Sequence, residues 1–188
     1  MLQALRGNNF AMIKNDIEST FYTGQVLPEP ISKVCEFLDE NGYPISGCFE
    51  LSTIGVDDLK GWFKKTPSAV DTLLPFGRGA CGDVYAVWLV NNLELENSPI
   101  VMFGSEGTLG VLARNAKEFC KLLCLGYSEL GLEDHSLVGD DFSETKPFRD
   151  FILGEYNFEL PQTGQKIIEE ANQAFPEFTK WVEDNAWE

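Results

Sequence analysis

A chain of 188 residues with 44% hydrophobic content is long enough to bury the core of one globular domain and would be cramped as two. Its 30 acidic residues against 14 basic ones leave a formal charge of −16, which disfavours direct binding to nucleic acid or an anionic membrane and favours basic partners. No apolar run approaches the roughly 20 residues that cross a bilayer, and the opening MLQALRGNNFAMIKND lacks the basic-then-apolar order of a secretion signal, so cytoplasmic residence is expected.

Residues 1–24 are weakly periodic and read as a leader, either a short helix or a mobile arm. Pro28 and Pro30 suit the first turn of a helix, and Ile31, Val34, Cys35 and Leu38 follow at helical spacing until Asn41-Gly42. That helix is expected to pack on a sheet. Cys48 to Ile54 alternates weakly and predicts a strand. Gly55 opens a short helix through Val56, Leu59, Trp62 and Phe63, which Lys64-Lys65-Thr66-Pro67 ends.

From Leu73 to Leu123 the chain alternates glycine-rich turns with wholly apolar runs. Leu73 to Phe76 begins a strand. Asp83 to Val90 and Ile100 to Phe103 are apolar or aromatic on both alternating sets of positions, the pattern of strands covered on two faces. Gly104-Ser105-Glu106-Gly107 predicts a hairpin turn into Leu109 to Ala113. A helix follows, with Asn115 as its cap and Glu118 reaching back. Phe119, Cys120, Leu123 and Cys124 form its apolar stripe, and Gly126 lies just beyond its end.

Past Tyr127, Glu133-Asp134-His135 and Val138-Gly139-Asp140-Asp141 predict an exposed acidic loop. Phe148, Phe151 and Ile152 mark one helix, and Ile167, Ile168, Ala171, Ala174 and Phe175 a longer one. Pro176 breaks it before Phe178, Trp181 and Val182. These stripes need a surface to bury against, so the tail is expected to dock on the sheet. The fold class is α+β: a mainly antiparallel twisted sheet covered by helices, in a single domain with a helical C-terminal extension. The expected organisation is a leader over 1–24, a core over 25–127 and the extension over 128–188.

Little of this sequence suggests chemistry. Gly77-Arg78-Gly79-Ala80-Cys81-Gly82 is glycine-rich, but it leads into a strand, whereas a phosphate loop leads into a helix whose amides bind the anion. It reads as a turn or bulge, with Arg78 able to pair with Asp83. His135, the one histidine, reads as a solvated loop residue, and Gly104 to Gly107 is not the strand-to-helix elbow of hydrolases. Five cysteines without regular spacing make no disulfide framework; Cys35, Cys120 and Cys124 read as small core hydrophobes. Cys120 and Cys124 with His135 fall short of a zinc set. Glu133, Asp134, Asp140 and Asp141 lack the alternation of a calcium loop, and Glu169-Glu170 reads as an exposed face. No catalytic residue, metal or cofactor is expected.

The order of features resembles the SUKH superfamily, which includes yeast cell-wall (glucan) synthesis regulators and many bacterial immunity proteins. The residues that carry the resemblance are Leu27-Pro28 opening a helix that ends at Asn41-Gly42, Pro75-Phe76-Gly77 with Gly82-Asp83 entering Val84 to Trp88, Val101 to Gly107, and Ala113 followed by Glu118-Phe119. It spans roughly residues 25 to 127, with a looser echo in Phe148 to Trp181. The resemblance implies an α+β binding fold without cofactor. It further implies a protein that neutralises a cognate polymorphic toxin, often a nuclease, by occlusion. An endogenous interaction scaffold of the cell-wall regulator type is the alternative.

Within that expectation, acids in loops and short connections are the candidate contacts for a basic protein partner such as a toxin domain: Asp57, Asp58, Glu94, Glu96, Glu106, Asp140, Asp141 and Glu144. Trp62 is the candidate aromatic anchor, with core packing as its other reading.

Overall fold

The computed structural model describes residues 12–22, 24–90, 93–132, 135–139 and 143–186. Five strands form one antiparallel sheet in the order β1 (Glu50–Leu51), β2 (Leu73–Arg78), β3 (Val84–Trp88), β4 (Ile100–Phe103), β5 (Leu109–Ala113). Strand order equals chain order, as in a meander: the links from β2 to β5 are short, and the longer β1–β2 connection carries a short helix and a 3-10 turn yet still returns to the neighbouring position. The β2–β3 register shifts between Pro75 and Gly77. A bulge there suits Pro75, which has no N–H to give a ladder.

Both faces of the sheet are covered, as the apolar runs require. Tyr85 and Val87 point to one side with Leu74, Phe76, Ile100, Met102 and Leu112. On that side lie α1 (Met12–Glu18), α2 (Glu29–Asn41), α4 (Ala116–Cys124) and α5 (Lys146–Tyr156). The alternate residues Val84, Ala86 and Trp88 point to the other side with Val101, Phe103 and Val111, under α3 (Val56–Lys60) and α7 (Phe178–Ala186). The last pair of helices therefore docks on the sheet: α6 (Gln165–Ala174) runs beside β5 and supplies Ile167 and Ile168 to the first cluster and Ala171 to the second.

The β5 edge is closed by a side chain. Asn172 of α6 donates Nδ2–H to the Val111 carbonyl (2.8 Å), and the Val111 N–H points to Asn172 Oδ1 (3.4 Å). The carboxamide thus stands where a sixth strand would pair, which blunts an edge that could otherwise recruit another chain. Asn172→Ala should leave both buried Val111 groups unpaired and cost about 1–3 kcal/mol. A guanidinium unfolding midpoint indistinguishable from that of the parent protein would contradict this role.

The cap of α4 is built as its sequence suggests, with one difference. Asn115 Oδ1 accepts from the Glu118 N–H (3.0 Å), while Glu118 reaches one residue further back than the cap and accepts from the Arg114 N–H (3.2 Å). Its carboxylate also clasps the Arg114 guanidinium, which extends to Glu170 of α6 (3.0 Å).

Several expectations are corrected. The strand expected over 48–54 is in register with β2 only at Glu50–Leu51, because the chain turns at Ser46–Phe49 and leaves β2 after a last bond from the Ser52 N–H to the Phe76 carbonyl (3.0 Å). A 3-10 turn over Pro67–Thr72 was not anticipated. The main neighbours of α2 are α1, α4 and α5, so it reaches the strand side chains as part of a helical layer. Arg78 pairs with Asp58 (3.5 Å), not with Asp83, whose Oδ1 accepts instead from the Ser105 N–H (3.0 Å). Ala174 is exposed. His135 is buried at 3% exposure, because the loop carrying it folds inward against Tyr127 and Gln165.

Candidate partner-binding cleft

In an antiparallel meander, every second turn falls at the same end of the sheet. The β2–β3 turn and the β4–β5 turn therefore stand side by side, and both are rich in glycine. In the first, Gly79 N–H bonds the Asp83 carbonyl (3.0 Å) and Gly82 adopts φ +87°, a backbone state that suits glycine. In the second, Gly107 N–H bonds the Gly104 carbonyl (2.9 Å). Small side chains leave space between these turns, and residues 127–131 with His135, Leu137 and Val138 close the far side. The result is a cleft of about 420 Å³.

Its walls are tied down by two buried tyrosines. Tyr85 donates its hydroxyl proton to the Leu130 carbonyl (2.7 Å). The Tyr127 hydroxyl accepts from the Gly164 N–H (2.7 Å) and faces the carbonyls of Leu137 (2.8 Å) and His135 (3.0 Å). The His135 ring sits edge-on to Tyr127 at 4.5 Å, and its backbone N–H bonds Gln165 Oε1 (3.2 Å). Cys48 N–H bonds the Ser128 carbonyl (2.9 Å), which ties this wall to the start of β1. A cleft held this way loses little conformational freedom when it is filled.

The lining is anionic. Asp83, Glu106 and Glu129 contribute carboxylates, and no Lys or Arg is among the described lining residues. Burial chiefly, then the charges of Asp83 and Glu129, push the Tyr85 phenol well above its ordinary pKa. The rim is apolar: Leu137 is 73% exposed and Val138 57%, the two most exposed large hydrophobic side chains among the described residues. Two such side chains side by side at the mouth of a cleft mark a contact surface more than scattered exposure does.

The cysteines divide into two sets. Burial pushes Cys35 and Cys124 up to about 12 and Cys120 well above its usual value, so these three thiols stay protonated and inert. Cys48 and Cys81 are exposed, and both line the cleft together with His135. Among the described residues no three His, Cys, Asp or Glu side chains are placed to hold a metal ion.

The acids singled out from sequence do not converge. Among those that are described, only Glu106 lines the cleft. Glu94 and Glu96 lie in the β3–β4 connection at the opposite end of the sheet, where Glu96 accepts from the Glu29 N–H (2.9 Å). Asp57 lies in α3, and Asp58 there pairs with Arg78. Glu144 is exposed just before α5, while Asp140 and Asp141 lie outside the described residues. Trp62 is half-buried and meets Phe103 edge-to-face at 5.7 Å. Sequence reasoning missed Asp83, Glu129, Leu137 and Val138 as cleft residues. The available signals were two glycine-rich turns at the same end of a meander and an apolar Leu137-Val138 pair inside an acidic loop.

No helix among the described residues is long and apolar enough to cross a membrane. No family model, curated protein or solved structure matches the chain.

Proposed function

We propose that this chain is a binding protein of the immunity type, which neutralises a basic toxin domain by covering its active site or substrate groove. The observation that carries the reading is the pre-formed cleft at one end of the sheet, lined by three carboxylates and rimmed by Leu137 and Val138. Anionic walls draw in a basic partner and orient it, and exposed apolar side chains at the rim supply area to bury on contact. A toxin that acts on nucleic acid must carry cations for its phosphates, so its working surface is the complement of this one. The same reading is what the resemblance of the sequence to SUKH proteins implies.

The test is co-purification with, and protection against, the toxin domain encoded beside this chain. Tight binding is expected, with association slowing as salt rises; Glu106→Lys with Glu129→Lys should cut the association rate by about tenfold or more while changing dissociation less. Absence of both binding and protection across salt concentrations would remove the reading for that pair.

One observation favours a second reading. His135, Cys48 and Cys81 line the same cleft, and these are the residue types of a thiol nucleophile with its base. Replacing both cysteines with Ser separates the two: occlusion predicts unchanged protection, whereas thiol catalysis predicts its loss.

A further inference from the structure

We draw no further inference here: the strongest candidate, the pair of exposed thiols Cys48 and Cys81 in the wall of the cleft, belongs to the site already described, and nothing among the described residues joins one sulfur to the other or points from either to a ligand.

Discussion

Replacing Phe119 with Ala is expected to cost about 3–5 kcal/mol of stability, as deletion of a fully buried ring does when its surroundings cannot collapse. Phe119 has no solvent exposure and sits between Phe49 (5.6 Å), Phe76 (5.6 Å) and Tyr85 (6.0 Å). Those three rings come from the chain before β1, from β2 and from β3, so one side chain of α4 joins the helical layer to three segments of the sheet layer. The backbone positions of these segments are set by their own ladders, which keeps them from closing over the gap. At roughly 2–4 °C per kcal/mol for a chain of this size, the melting temperature should fall by about 10 °C. Phe119→Leu, which keeps most of the volume, should lose far less. A loss below about 1 kcal/mol for the alanine variant would mean that this aromatic cluster is not the centre of the fold.

The second large effect is expected at Gly47. Its φ is +46°, and a Cβ built there lies 2.1 Å from the Tyr127 carbonyl oxygen and 2.5 Å from that of Ser128. These are backbone atoms of the cleft wall. Gly47→Ala must push that wall outward and break the bond from Cys48 N–H to Ser128, so both stability and partner binding should fall, with about 3 kcal/mol as the expected loss. Gly82→Ala is the control. Its φ is +87°, yet a Cβ there meets nothing within 4 Å, so only the backbone penalty of about 1–2 kcal/mol applies. Chemical denaturation of the two variants checks the difference. Equal losses would show that crowding against the wall at Gly47 is absent.

The central strands were legible because their information is local. Val84 to Trp88 and Ile100 to Phe103 are apolar at every position, which only a two-sided burial explains, and the Gly104 to Gly107 turn leaves no room for anything but a hairpin. The cap at Asn115 and the breaks at Gly42, Gly126 and Pro176 are likewise contained in a few adjacent residues. Pairings across long separations were not legible. Nothing near Arg78 distinguishes Asp58 from Asp83 as its partner, and the choice follows from where α3 lands beside β2. The role of Asn172 depends on α6 lying along the β5 edge, sixty-one positions away in the chain.

The cleft shows the same division. The sequence alone determined an acidic, cysteine-containing chain with glycine-rich turns at 79–82 and 104–107 beside buried strands, because charge, hydropathy and backbone freedom belong to each residue separately. Which carboxylates share a site was decided only by the tertiary structure. Asp83, Glu106 and Glu129 meet because the meander stacks two turns at one end, while Tyr85 and Tyr127 hold Leu130, His135 and Leu137 across them. His135, polar and in an acidic stretch, was drawn inside by the same tyrosine contacts. Convergence of distant side chains is a property of packing, and one residue's neighbours in sequence carry no record of it.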